Sequence, residues 1–203
     1  MTPTKILRRL ATLGPIIIDR HAKPGGRCVM ATRCCIVTLA QFGIDASPLS
    51  VRIVIHNQAM AAFLNDLGDR VPTTADWEGV REAGGHTLDA GDLSVPLPNV
   101  VHRPGGRDWN GHLMAAVPRF SSLVDLDLQQ FCRPAKQIRL PPGASFTWEP
   151  GTTKHTYPLP GGGIIGIQAQ PFNDGWQDAG DWKINADEPV IQELLRAVRK
   201  GKL

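Results

Sequence analysis

The chain has 203 residues, of which 42% are hydrophobic and 20% are charged, and its formal net charge is +3. This balance predicts one ordinary globular domain over residues 1–203. The basic residues are scattered rather than grouped with aromatic ones, and no apolar run approaches the ~20 residues that cross a bilayer. The composition therefore argues against a nucleic-acid or membrane partner.

The pattern of apolar residues predicts three helices, an extended segment and a strand in the first third of the chain. Apolar residues recur at helical spacing in some segments and alternate with polar residues in another. In chain order we expect a basic amphipathic helix over 4–13, an extended segment over 15–19, a helix over 28–42 that ends at Gly43, a strand over 49–55 and a helix over 58–67.

The remaining segments complete the fold prediction. Residues 68–108 have weak periodicity and many Gly, Pro and Asp residues, so a loop-rich insertion is expected at about 57–108. After it we expect strands over 112–117 and 123–128 joined by a turn at 118–121, an irregular stretch beyond Ile138, a strand over 163–169 and a terminal helix over 189–200. This order favours an α+β fold with an antiparallel sheet.

Cys28 is the cysteine that the sequence marks as reactive. It follows the Gly25-Gly26 pair and opens a predicted helix. A helix N-terminus stabilises a thiolate, which is the form of cysteine that attacks a carbonyl carbon. Its own backbone N–H is also placed to stabilise an oxyanion. Cys34 and Cys35 lie two turns further along the helix, where the electrostatic effect has faded.

His112 opens one predicted strand, and Asp125 closes the apolar run of the next. In neighbouring antiparallel strands, the start of the first lies beside the end of the second. We therefore expect His112 to act as the base for Cys28, and Asp125 to fix the tautomer of the imidazole. Asp127 faces the same side of a strand as Asp125 and is the alternative partner.

Other side chains have less specific predicted roles. Trp109 and Asn110, just before His112, are expected to line the substrate site, with a packed loop tryptophan as the alternative for Trp109. The second oxyanion donor stays open between Asn110, His21 and Gln58. His21, His56 and His102 near Asp19 have no i, i+4 ligand spacing, and no Cys-x-x-Cys occurs, so no metal is predicted.

Residues 28–46 resemble the core of the transglutaminase-like, papain-like cysteine superfamily. There the nucleophile opens a helix that ends in a Gly-Ile-Pro-Ala-like turn, here Gly43-Ile44-Asp45-Ala46. Residues 111–114 and 123–125 resemble the His-x-Trp strand and the closing apolar-apolar-Asp strand of that superfamily. The sequence departs from the pattern at Leu113-Met114, where an aromatic residue is usual, and in the insertion, which matches no known pattern.

The resemblance implies a papain-like core in which an N-terminal nucleophile helix packs on the antiparallel sheet. It also implies a cysteine-dependent hydrolase or acyl transferase that acts on an amide or peptide-type bond through a thioester, with a peptide, protein or small amide as substrate and no cofactor. The alternatives are an inactive papain-like fold that binds a peptide or protein, and acyl transfer from a coenzyme to an arylamine.

Gly14-Pro15 interrupts the one stretch that loosely imitates a signal peptide, so a cytoplasmic location is expected. The sequence leaves the oligomeric state undetermined.

Overall fold

A computed structural model of the protein describes residues 1–22, 27–91, 109, 111–178 and 180–203. Within these ranges the chain forms five α-helices and seven strands. In chain order they are α1 (Pro3–His21), α2 (Arg27–Ala40), β1 (Ser47–His56), α3 (Gln58–Leu67), α4 (Thr74–Glu82), β2 (Thr87–Ala90), β3 (His112–Val117), β4 (Ser122–Asp125), β5 (Ala144–Thr147), β6 (Lys154–Pro158), β7 (Ile164–Ala169) and α5 (Pro189–Lys200).

The strands form one antiparallel sheet in the order β5-β4-β3-β1-β7-β6. The long strand β1 pairs with β7 along one side and, along the other, with β3 through Ser47–Val51 and with β2 through Ile53–His56. The sheet curls until its outer strands meet, and there the Tyr157 hydroxyl of β6 donates to the Thr147 carbonyl of β5. The prediction of an α+β fold with an antiparallel sheet is confirmed.

Two apolar cores lie on the two faces of this sheet. One fills the inside of the curl with side chains such as Ile53, Ile165 and Ile167, which alternate with less buried residues along β1 and β7. The other lies where α1 and α2 cover β3 and β4 and α5 packs on both helices, and it contains Leu10, Leu194 and other aliphatic side chains. The second core fixes α2 against β3, and this packing brings the start of α2 near the start of β3. In the described ranges, no helix is both long enough and apolar enough to cross a membrane.

The helix α1 continues through Pro15 to His21, so the expected extended segment over 15–19 is wrong. A proline inside a helix costs ~3 kcal/mol, since it removes one hydrogen bond and crowds the preceding turn. Ile17 and Ile18 are both 0% exposed in the continued helix. Burial of each such side chain contributes ~1.5–3 kcal/mol, so tertiary packing outweighs the local cost.

Several segments expected to be irregular are regular. Residues 57–91 contain α3, α4 and β2, so the loop-rich description is wrong for this part of the insertion, while residues 92–108 lie outside the described ranges. The Thr73 hydroxyl accepts from the Asp76 N–H and the Asp76 carboxylate accepts from the Thr73 N–H, a capping box that marks the start of α4. The strands β5 and β6 were also missed, since each is short and depends on its partner strand.

The strand β4 ends at Asp125 rather than at Leu128. The chain turns after Asp125 and enters a short 3₁₀ helix over Leu128–Phe131. The expected strand over 123–128 is therefore wrong in its second half. This turn decides which aspartate reaches His112.

Candidate functional site

Cys28 lies in the first turn of α2, as predicted. The thiol is not open to solvent, since the residue is only 6% exposed. It belongs to a small apolar cluster with Val29, Leu113 and Trp176, against which Trp109 and Trp182 also pack. The first-turn position provides the partial positive charge that favours a thiolate, and the aromatic cover keeps bulk water from the sulfur.

The structure brings His112 and Asp125 together. His112 is 0% exposed at the start of β3, and its Nε2 lies 2.7 Å from Asp125 Oδ2 at the end of β4. Because Ala115 pairs with Val124, these two strand ends lie at the same edge of the sheet. The other carboxylate oxygen, Asp125 Oδ1, accepts from the Asp127 N–H at 2.7 Å. Both oxygens of the buried carboxylate are thus held in place.

The side chain of Asp127 points elsewhere. Its Oδ1 lies 3.4 Å from Nε of Arg27, the residue just before Cys28, and it makes no hydrogen bond to His112. The turn after Asp125 explains this, because it removes Asp127 from the strand on which the two aspartates would share a face. Asp125 is therefore the carboxylate that contacts His112, and Asp127 is an ion-pair partner for the start of α2.

The ring of His112 lies between Asp125 and Cys28. Burial lowers the pKa of His112, but the negative charge of Asp125, the hydrogen bond to Asp125 and a hydrogen-bond interaction with Cys28 together raise that pKa to about 10. Since Asp125 occupies Nε2, Nδ1 is the ring nitrogen that can accept the proton of Cys28. This is the arrangement in which a proton can move from Cys28 to the ring while the carboxylate stabilises the resulting imidazolium.

Gln130 is a site residue that the sequence analysis missed. Its Nε2 lies 3.0 Å from His112 Nδ1 and 3.1 Å from the carbonyl oxygen of Asp127. The 3₁₀ turn over Leu128–Phe131 brings it back towards the start of β3. A glutamine has no characteristic spacing from a catalytic histidine, so no signal in the sequence marks it.

The predicted wall residue Trp109 adjoins the Cys28 cluster, and its Nε1 donates to Ser50 Oγ at 3.4 Å. Asn110 lies outside the described residues. Trp176 and Trp182, which form an edge-to-face pair with centroids 4.4 Å apart, were not predicted as site residues. They lie in two short 3₁₀ helices between β7 and α5, Gly175–Asp178 and Gly180–Lys183, and are far from Cys28 in sequence.

The other proposed oxyanion donors have different partners. His21 Nε2 lies 2.9 Å from Glu193 Oε2, and Gln58 lies beside Gly162 at the far end of β1.

The histidines considered for a metal site do not form one. His56 Nδ1 lies 2.8 Å from Thr87 Oγ1, and His102 is outside the described ranges. Within the part of the chain that the structure describes, no group of three or more His, Cys, Asp or Glu side chains could hold a metal ion.

The described end of the insertion returns to the site. Gly91, just after β2, has a positive φ of 92°, and a Cβ there would lie 3.1 Å from the Cα of Gly111, directly before His112. A side chain is disfavoured at Gly91 because β2 and β3 follow each other along the same side of β1, which brings these two backbone segments together. The described end of the insertion therefore lies beside the start of the strand that bears His112.

We expect Asp127→Asn to change how stability depends on pH. Burial raises the pKa of Asp127 to about 6, from an ordinary value of 3.8. The positive charges of Arg27 and His112 oppose this rise, and the negative charges of Asp125 and Asp19 add to it. The folded state thus holds this proton more tightly than the unfolded state. The wild-type protein should therefore lose up to about 3 kcal/mol of unfolding free energy, relative to the variant, as pH rises from below 3.8 to above 6.

Urea unfolding of wild type and variant at pH 4 and pH 7 measures this difference. Asp66→Asn, on the exposed side of α3, is the matched control and should give a curve parallel to the wild type. Parallel curves for Asp127→Asn would show that its carboxylate titrates normally and is not held in the buried site.

The site thus consists of Cys28, His112, Asp125 and Gln130, with tryptophans around the thiol. Comparison of the chain with protein-family models, with curated proteins and with solved structures gave no match. The function is therefore inferred from the chemistry of these side chains.

Proposed function

We propose that the protein is a cysteine-dependent enzyme that transfers an acyl group from an amide or peptide-type bond to water or an amine. One observation carries the proposal: a buried imidazole has Asp125 2.7 Å from one ring nitrogen and interacts with a helix-start cysteine. A lone histidine or cysteine at such positions has a structural explanation, but the three groups together are a nucleophile, a base and the carboxylate that orients the base.

The residues divide the reaction between them. Cys28 transfers its proton to His112 Nδ1 and the sulfur attacks the carbonyl carbon, which gives a tetrahedral oxyanion. His112 returns the proton to the leaving amine as the C–N bond breaks, and a thioester remains on Cys28. Water or an amine, deprotonated by His112, then attacks the thioester and releases the sulfur.

The arrangement also supports the superfamily resemblance as a proposal. The helix α2 bears the nucleophile and packs on an antiparallel sheet whose neighbouring strands supply the histidine and the aspartate. A papain-like core implies a peptide, protein or small amide as substrate and requires no cofactor. The cytoplasmic location stays a prediction from the sequence.

A second candidate function is a peptide- or protein-binding module on the same fold. The observation that favours it is the low exposure of Cys28, at 6%, beneath Trp176 and Trp109. A substrate must displace some of this aromatic cover to reach the sulfur, whereas a binding module needs no access to it. The reactivity of the thiol separates the two functions.

Iodoacetamide at neutral pH should label Cys28 before the other cysteines. Cys34 and Cys35 are 0% exposed, and burial, with smaller contributions from Cys34 and Asp125, raises the pKa of Cys35 well above its ordinary value. Cys132 is half-buried beside Leu140 and has no histidine partner among the described residues, so it should react more slowly. Peptide mapping by mass spectrometry at short times gives the order.

His112→Gln is the variant that tests the cause of this order, because it keeps a polar side chain of similar size but cannot hold the thiol proton. Labelling of Cys28 should fall in this variant to the rate of Cys132. Preferential labelling of Cys132 in the wild type, with Cys28 unmodified, would favour the binding module.

A further inference from the structure

The tryptophan pair near Cys28 belongs to a segment with little regular structure. Trp176 lies in the 3₁₀ helix Gly175–Asp178 and Trp182 in the next one, Gly180–Lys183, and the two rings pack edge to face with centroids 4.4 Å apart. A 3₁₀ helix of four residues has few backbone hydrogen bonds of good geometry, so these bonds hold it weakly. The position of the tryptophan pair therefore depends on contacts with the rest of the protein.

Arg33 joins this segment to α2, the helix that bears Cys28. It lies one turn after Val29, which belongs to the apolar cluster around the thiol. Its Nε donates to the carbonyl oxygen of Ile184 at 3.0 Å, and its guanidinium carbon lies 5.3 Å from the centre of the Trp182 ring. A guanidinium at that distance over a tryptophan makes a cation–π contact. Arg33 thus holds both the backbone and a ring of the segment against α2.

The segment held in this way closes the site. Cys28 is 6% exposed and Trp176, in the same cluster, is 8% exposed. The base His112 is 0% exposed. A substrate carbonyl has to come within bonding distance of the sulfur, so the tryptophan pair has to move before the reaction, as a lid does. The contacts of Arg33 oppose this movement.

We propose that Arg33 is a latch that holds the tryptophan pair over Cys28 in the resting protein. A substrate reaches the sulfur only after the contacts of Arg33 with Ile184 and Trp182 are broken. This step regulates access in the proposed acyl transfer and rests on that function for its purpose. The latch itself is measurable without an acyl group, because alkylation of the thiol needs the same access.

The rate at which iodoacetamide labels Cys28 reports how often the site is open. When opening and closing are faster than the chemical step, this rate is proportional to the fraction of open molecules. Arg33→Leu removes the charge and the N–H donors. We expect labelling to rise about 10–30-fold, the factor in an equilibrium to which one hydrogen bond and one cation–π contact together correspond. Arg33→Gln keeps a donor near Ile184 but no charge, and should give an intermediate rate.

Two controls separate a latch from a general loosening of the protein. Cys34 and Cys35, directly after the substituted position, are 0% exposed and should stay as unreactive as in the wild type. Arg199→Leu removes another arginine–aromatic contact, in which the guanidinium carbon lies 5.8 Å from the Phe42 ring, beyond the other end of α2. This variant should leave the labelling of Cys28 unchanged.

A double variant tests whether Arg33 acts through the ring of Trp182. Trp182→Leu removes the ring that the guanidinium contacts, so only the hydrogen bond to Ile184 is left for Arg33→Leu to remove. Adding this second substitution should therefore raise the labelling rate by only about fivefold. An increase by the full factor seen in the single variant would show that Arg33 does not hold the ring, and would overturn the latch.

The other outcomes are also decisive. An unchanged rate at Cys28 in Arg33→Leu would overturn the latch, and so would an equal rise at Cys34 and Cys35. A second reaction tests the proposed function separately: p-nitrophenyl acetate transfers its acetyl group to the Cys28 sulfur and releases p-nitrophenolate. If Cys28 is alkylated as expected in the wild type and in Arg33→Leu but is never acylated, the acyl transfer fails while the latch stands.

Discussion

Cys28→Ser should abolish acylation by p-nitrophenyl acetate. The serine hydroxyl has almost the same shape as the thiol and can still interact with His112, but it ionises far less readily and is a much weaker nucleophile in a site built for a thiolate. Loss of the nucleophile in a catalytic triad lowers the rate by several orders of magnitude, so we expect a decrease of about 10³-fold or more.

The burst of p-nitrophenolate and the mass of the acetylated protein measure this loss. Cys132→Ser, which changes the other cysteine that is not fully buried, is the matched control and should keep the wild-type burst. An acetyl group that forms equally fast on Cys28→Ser would place the nucleophile elsewhere. A thermal unfolding curve close to that of the wild type would confirm that the variant is folded.

Asp125→Asn should also cost several orders of magnitude in acylation, for a different reason. The oxygen of the substituted side chain can still accept from the Asp127 N–H, as the Asp125 carboxylate does at 2.7 Å. The new amide nitrogen would then face His112 Nε2 and donate to it. This makes Nε2 an acceptor and moves the ring proton to Nδ1, so Nδ1 can no longer accept the proton of Cys28. A wrong tautomer of this kind lowers kcat by about 10⁴ in a serine protease.

The pH dependence of alkylation gives the independent measurement. In the wild type, Asp125 raises the pKa of His112, so the imidazolium that accompanies the Cys28 thiolate is stable at neutral pH. Without that charge, burial lowers the pKa of the ring, and only the interactions with Cys28 oppose it. We expect the alkylation of Asp125→Asn to require higher pH than that of the wild type. The control Asp127→Asn should leave this profile much closer to the wild type, since its carboxylate faces Arg27. A larger shift in Asp127→Asn would contradict the assignment.

The elements that bear the site could be predicted from the sequence because their signals are local. The helix after Gly26, the strand from His112 to Val117 and the apolar run that ends at Asp125 each follow from spacing within a few residues. His112 is then expected near Asp125, because in two neighbouring antiparallel strands the start of the first lies beside the end of the second.

The choice of the aspartate required the tertiary structure. Asp125 and Asp127 are equivalent in a continuous strand, and only the turn into the 3₁₀ helix separates them. The same turn places Gln130 on His112 Nδ1, although nothing in the local sequence distinguishes Gln130 from Gln129. A hydrogen bond between residues eighteen apart depends on the path of the chain rather than on propensity.

The sequence by itself indicated Cys28 and His112 as the candidate nucleophile and base, and it determined the order of most of the helices and strands. The tertiary structure decided the partner of the base, the aromatic cover of Cys28 and the continuation of α1 through Pro15. The physical reason is the same in each case. Periodicity and helix-start chemistry act within a segment, whereas burial, hydrogen bonds across elements and the pairing of short strands gain free energy only when distant segments meet.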